Sequence, residues 1–448
     1  MFNWLSLPLK RILTPPAGEG LVHNSVLAVW DTYAVLHATF GFRNHRTPAG
    51  ALRLNGQIKS RKITADFFRT HITEDLLPFW QQHANDPHLG GFITNLDRRG
   101  NVYDDSFKTA AMQSRMVYGF SCGYALSGDL EYLRLAKHGL RFLIDHLWDG
   151  EDGGWHQDVY GDGRVRTPHK DSFAQAYVLL GLSECYRQTR EPEALEYAIR
   201  TYDVLERFLW DPQNLGYYES CNSDWREKST AKTICIQLDM LIAVMTLYGI
   251  TRDPVHLSRA IELADLVTTR MIDRRYGCLL ERFSRDWNYQ PVSTHDQLWI
   301  GHCLKGAWLL LEMDRLAGLR NYLTVARNLL DYCLRNGWDN RYGGFYQYVF
   351  RRGRVASTEK IWWTQCEGMQ ALLLLYSMCG GKDYWDYFRR LTEFALTNFY
   401  DSEFGEWVTS CYPDGAVKDA RKGGTWKAAY HTVAMCSAVH AYLSGLES

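Results

Sequence analysis

The chain has almost no net charge, no paired-cysteine motif and no long apolar run, and each absence narrows what it can be. Lys and Arg number 50 against 51 Asp and Glu, so no general attraction to nucleic acid or to an anionic membrane is implied. The eleven cysteines are scattered, odd in number and lack a Cys-x-x-Cys. That argues against a disulfide framework or a zinc site and for a reducing, cytoplasmic compartment. No run of eighteen apolar residues occurs, so no membrane span is expected. Near the N-terminus, Pro8, Pro15 and Pro16 break up the apolar residues, and no clear cleavage site follows; no signal peptide is read there.

What is present is a repeat. Glycines recur at Gly91, Gly154, Gly216, Gly277, Gly344 and Gly405, most followed by an aromatic: Phe92, Trp155, Tyr217, Phe345 and, one residue later, Trp407, with Cys278 in the fourth unit. Such a period marks repeated supersecondary units and argues for one barrel domain over residues 61–448 behind an extension, 1–60. Each unit reads as helix, Gly-rich excursion, helix. Leu130–Trp148 sets Tyr132, Leu133, Ala136, Leu140 and Leu143 on one face and Arg134, Lys137 and Arg141 on the other, the period of an amphipathic helix. Similar patterns begin near Thr64, Pro192, Pro254, Leu319 and Asp383. The helices between them, near 108–128, 171–190, 230–250, 296–316, 361–378 and 425–443, are apolar nearly all round and therefore buried. Six amphipathic and six buried helices in alternation predict an all-α fold, an (α/α)6 barrel of six inner and six outer helices. In the extension, Val26–Phe40 is strongly apolar; it suits a cap on the barrel, a lid on the site or the contact of a homodimer.

The buried helices align on a leading lysine: Lys108, Lys170, Lys232, Lys360 and Lys427, with His295 in the fourth unit. Five residues on stand Gln113, Gln175, Gln237, Ile300, Gln365 and Thr432. Seven on stand Arg115, Tyr177, Asp239, His302, Glu367 and Ala434, and His431 lies four after Lys427. A position inside a buried helix should be apolar, because an unpaired buried charge is costly. Different polar groups at one equivalent place therefore point to a single asymmetric pocket on the axis. The lysines read as structural, paired with loop acids such as Asp105 or Glu359. The Trp-Asp pairs before the loops, such as Trp148-Asp149, read as turn chemistry. The glutamines fit either helix-linking or substrate contact. Aromatics make up 14 % of the chain, which suits a sugar-binding cleft and a large helical core alike.

Several segments, taken jointly and in order, resemble the N-acylglucosamine 2-epimerase superfamily, which includes cellobiose 2-epimerases and mannose isomerases. They are Gly-Gly-Phe with Leu-Asp-Arg-Arg-Gly (90–100), Gln-Ser-Arg (113–115), Gly-His-Cys-Leu-Lys-Gly-Ala-Trp-Leu-Leu-Leu-Glu (301–312), Lys-Ile-Trp-Trp-Thr-Gln-Cys-Glu (360–367), Gly-Glu-Trp (405–407) and Trp-Lys-Ala-Ala-Tyr-His (426–431). The resemblance implies the six-fold α/α barrel and a small-molecule sugar substrate interconverted at C2 or between C1 and C2 without cofactor or metal. It implies His302 and His431 as acid and base, Arg115 on the enediolate and Glu367 as the accompanying carboxylate. Tyr177, Gln237, Asp239, Lys305, Trp363 and Trp426 join the site as substrate-binding candidates. Histidine has the near-neutral proton affinity that removing a proton alpha to a carbonyl requires.

Three residues depart from the family pattern. Asp239 replaces a histidine on the third inner helix, Lys305 replaces the glutamate of a His-x-x-Glu on the fourth, and an arginine is missing after His431. A cation in place of an anion beside His302 favours its neutral form. Asp239 and Lys305 are expected to pair; otherwise Lys305 faces substrate and selects an anionic sugar. Two other functions fit the same fold: glycoside hydrolysis by two carboxylates drawn from Asp239, Glu367, Asp171 and Glu406, and non-catalytic sugar binding.

Overall fold

Twelve helices alternate along the described part of the chain, which in the computed structural model is residues 46–54, 62–292 and 296–447. The inner helices are α2 (Ala110–Ser127), α4 (Ser172–Thr189), α6 (Ile234–Thr251), α8 (Ile300–Ala317), α10 (Trp362–Cys379) and α12 (Tyr430–Glu447). The outer ones are α1 (Ala65–Thr70, continued through the π-helical His71–Leu76 into Leu77–His83), α3 (Leu130–Phe142), α5 (Pro192–Val204), α7 (Pro254–Leu266), α9 (Leu323–Asn336) and α11 (Lys382–Asn398). Patterning decides the ring. In α3, Tyr132, Leu135, Ala136 and Leu140 are buried while Arg134, Lys137 and Arg141 are exposed; in α10 every residue from Thr364 to Leu375 is buried. Each inner helix packs on the next, α12 returns to α2, and α1 packs on α12, so the (α/α)6 ring closes. By length and hydropathy α6 would suffice to cross a membrane, yet here it is an inner helix covered by α4, α7 and α8. His295 and the apolar segment 26–40 lie outside the described residues. Of the extension, 46–54 runs beside the sixth unit's hairpin, where Thr47 and Arg53 bond Asp414.

Inner-to-outer connections are short turns at one end of the barrel. Outer-to-inner connections are hairpin-bearing loops at the other, and these frame the site. The strand ahead of an inner helix pairs with the next unit's loop: Phe107–Thr109 with Asp158–Tyr160, Ala231–Thr233 with Arg282–Ser284, Gln297–Trp299 with Tyr348–Phe350. The carbonyls of Gln157, Glu219, Glu281, Gln347 and Thr409 then accept the first N–H of the preceding unit's helix, a donor with no partner inside the helix.

Within each loop a glutamine staples the aromatic residue. Gln113 accepts from the N–H of Phe92 at 2.7 Å and donates to its carbonyl at 2.7 Å. Gln175, Gln237 and Gln365 do the same for Trp155, Tyr217 and Phe345. In the sixth unit Glu406, at φ 55°, accepts from Trp407 N–H and from Thr432. The leading lysines reach the aspartate that opens each loop, and not Asp105 or Glu359: Lys108 to Asp86 and Lys170 to Asp149 at 2.7 Å, Lys232 to Asp211 at 3.0 Å, Lys360 to Asp339 at 2.8 Å. Lys422 takes that role on Asp401, and Lys427 goes to Glu406. These aspartates also accept backbone N–H groups two and three residues on, as Asp149 does from Glu151 and Asp152, so the Trp-Asp pairs are turn chemistry.

The staple corrects the register of the fourth unit. There Cys303 Sγ, not Ile300, accepts the loop N–H, from Leu279 at 3.3 Å. The leading residue is therefore Leu298, not His295. Lys305 stands level with Arg115, Tyr177, Asp239 and Glu367, and His302 moves up to the level of His431. Gln237 is likewise corrected: it is a loop staple, fully buried, and does not belong to the site. Gln237→Leu should leave the Tyr217 amide and carbonyl buried without partners and cost about 2 kcal/mol or more. Urea unfolding should register that loss, with the KM for sugar unchanged.

Candidate active site

Two layers of side chains face the axis just inside the looped end. The upper layer holds the histidines, His302 from α8 and His431 from α12, each 7 % exposed. Between them α10 contributes Trp363, whose ring centroid lies 5.6 Å from that of His302 and 6.0 Å from that of His431. Gly301 makes room for this indole: a Cβ there would sit 2.2 Å from the Trp363 ring.

Each histidine has its Nδ1 on a carboxylate. His302 meets Glu281 Oε2 at 2.7 Å, and Glu281 Oε1 accepts from the Trp299 N–H at 2.8 Å. His431 meets Glu367 Oε1 at 3.1 Å, and Glu367 Oε2 accepts from Trp308 Nε1 at 2.6 Å. Neither Nε2 has a partner among the described residues. A carboxylate on Nδ1 fixes the ring and its tautomer. Burial drives the His431 pKa down to about 4; Glu367 opposes the fall, and Arg115 and Lys305 add to it. Burial alone would raise the Glu367 carboxyl, but His431, Lys305 and Trp308 together hold it below the ordinary range.

One turn deeper lies the charged layer of Arg115, Tyr177, Asp239, Lys305 and Glu367. Arg115 lies 3.8 Å from the Tyr177 ring centroid and donates from Nη1 to the Trp426 carbonyl at 2.9 Å, while its buried Nε has no partner among the described residues. Lys305 Nζ bonds Asp239 Oδ1 directly. Burial disfavours the lysine's charge, yet Asp239 foremost carries its pKa well above the ordinary value. The expected pair therefore forms. The Lys305 charge, expected to act on His302, instead meets Asp239 and weakens proton binding at His431 and Glu367. The carboxylate that serves His302 comes from a loop.

The structure thus gathers His302, His431, Arg115, Glu367, Asp239, Lys305, Tyr177 and Trp363. Toward the mouth a cavity of about 210 Å³ is lined by Trp299, Trp363, Trp426 and Tyr103, with Arg421 and Asp419 at its rim. Of the carboxylates considered for hydrolysis, Glu406 is buried on Trp80 Nε1 and Lys427. Asp171 caps α4 through the Phe173 N–H, and burial pushes its pKa up to about 7. Glu281, Trp299 and Trp308 escaped the sequence reading. A signal for Glu281 was there: two residues past the stapled residue, four units carry Gln157, Glu219, Glu281 and Gln347.

The family model for N-acylglucosamine 2-epimerase (GlcNAc 2-epimerase) matches residues 91–435. A cellobiose 2-epimerase of Bacteroides fragilis is 27 % identical over 390 residues, 84 % of this chain and 98 % of that one. A D-mannose isomerase of Marinomonas mediterranea is 27 % identical over 382 residues, 83 % of this chain and 95 % of that one. The structure of a cellobiose 2-epimerase from Spirochaeta thermophila superposes with a TM-score of 0.79 at 25 % identity, over 86 % of this chain and 97 % of that one. The family model covers most of the barrel, and the chain belongs to the N-acylglucosamine 2-epimerase family and is an enzyme of the carbohydrate epimerase and isomerase class.

Proposed function

We propose that the enzyme moves a proton at C2 of a reducing sugar, through an enediolate, with His302 and His431 as the proton-transfer pair. The observation that carries this reading is the paired arrangement: two histidines at one level of α8 and α12, each backed by a carboxylate on Nδ1 and each against Trp363. His431, neutral above about pH 4, takes the C2 proton of the open-chain aldose on Nε2. The electron pair left on C2 moves into the C1–C2 bond, and the C1 oxygen becomes an oxyanion. The Arg115 guanidinium, one turn below the histidines, supplies positive charge for that oxyanion, an attraction that strengthens as charge develops. His302 then supplies a proton. Delivery to the opposite face of C2 gives the epimer; delivery to C1, with the C2 hydroxyl proton passing to the C1 oxygen, gives the ketose.

The test is solvent exchange. A panel of aldoses, N-acyl sugars and reducing disaccharides in deuterated water should yield at least one sugar with deuterium at C2 or C1 by NMR; His431→Asn should stop exchange into that sugar, and His302→Asn should stop formation of its epimer or ketose. Folded enzyme that exchanges into none of them would sink the reading.

A further inference from the structure

A second cavity lies on the same axis beyond the charged layer, at the end where the inner helices finish, and measures about 520 Å³. Its first ring sits one turn below the charged layer and takes one residue from each inner helix: Tyr118, Leu180, Ile242, Trp308, Gln370 and Ser437. Small residues on α12, Ala434, Ala438 and Ala441, keep it open. Ala434 stands where the other five inner helices carry the large side chains of the charged layer.

Two carboxylates in the wall are already neutralised. Glu184 accepts two bonds from Arg187 at 2.8 Å, and Glu312 accepts one from Arg315 at 2.8 Å. Other polar groups are left over, among them Ser437 Oγ, which has no partner among the described residues, Gln370 and Arg252. Gln370 is 5 % exposed, lines the cavity and has no hydrogen-bond partner among the described residues, which leaves its amide open to whatever occupies the cavity. Arg252, at the rim, has no carboxylate partner among the described residues and only stacks on Tyr248, at 5.5 Å. The remaining wall is largely apolar, with Leu180, Ile242 and Leu309 among its side chains. A polyol has too little apolar surface to gain from such walls, whereas an apolar body carrying one anionic group satisfies both the walls and Arg252.

We propose that this cavity is a binding site for a small organic anion with an apolar body, its charge at Arg252 and a polar atom at Gln370. Binding is measured without sugar turnover, so failure here and failure of the proposed reaction are distinguishable. Titration calorimetry of the full chain with 4-phenylbutyrate should show one saturable site. Its neutral counterpart, 4-phenyl-1-butanol, should bind about tenfold more weakly, and Arg252→Met should weaken 4-phenylbutyrate by a similar factor. Ala438→Phe, which fills the cavity, should abolish binding. Arg252 is exposed, so its variant reports on binding even where Ala438→Phe fails to fold. Absence of saturable binding at millimolar concentration, equal binding of the alcohol, or affinity untouched by Arg252→Met would overturn the proposal.

Discussion

His431→Asn is expected to lower kcat by roughly 10²- to 10⁴-fold, the range general acid–base groups supply. Asparagine keeps a donor for Glu367 but has no nitrogen that can take a proton. The same residue sets two pH profiles. Its pKa falls from 6.5 to about 4 on folding, so the acid limb of kcat/KM should lie near pH 4 and not near 6.5. For stability the sign follows from proton counting: between these values the unfolded chain binds the proton and the folded chain does not. Stability is therefore full above pH 6.5 and falls as the pH is lowered toward 4, by about 3 kcal/mol for a shift of this size. Urea titrations at either end of that window should show the loss in the wild type and a smaller one in His431→Asn. An acid limb near pH 6.5 would contradict this account.

Lys305→Met is expected to destabilise the fold by about 3–5 kcal/mol, because it strands Asp239 as a buried carboxylate without its counter-ion. Both groups are 4 % exposed, so water cannot take the place of the missing partner. Asp239→Asn should be similarly damaging through an unpaired Lys305. The double variant Asp239→Leu/Lys305→Met removes both charges and should recover most of the loss, since apolar replacements of buried pairs are often tolerated. A double-mutant cycle by urea unfolding gives the coupling directly. Additive losses would mean that the two side chains do not depend on each other. Activity adds a separate reading: without Lys305, His431 and Glu367 lose a cation that weakens their proton binding, so the acid limb should move up in pH.

Much of this site was legible because inner helices are buried on every face. Against that background Arg115, Asp239 and Glu367 stand out, and a repeat places them side by side. The fourth unit was misread because its marker is missing: Leu298 stands where the other five units carry a buried lysine, and Cys303 where four of them carry glutamine. A slip of three residues is nearly one turn of helix, so the error moved His302 along the axis while keeping it on the inward face. Gln237 could not be assigned, since an amide on an inward helix serves a loop or a ligand equally well until the Tyr217 backbone is placed beside it. Glu281 was passed over for a different reason. The Gln/Glu recurrence marks its position, but its partner does not follow from it: a hairpin lays the fourth unit's loop over the start of α6 and brings the carboxylate to His302 on α8.

The closure of the ring by α1 against α12 has a mechanical consequence. The first helix meets the sixth unit at a seam, joined to that unit's loop by Trp80 to Glu406, His71 to Trp407, and Asp75 to Tyr400 and the Glu406 amide, and to its inner helix by Ala65 to His440. Tension applied between the two ends of the barrel loads this seam before it loads any contact between middle units. Pulled in this direction, the molecule should yield as a bracelet does at its clasp: the helix pairs stay folded and neighbouring pairs stay in contact, while the axial space that exists only in a closed ring disappears.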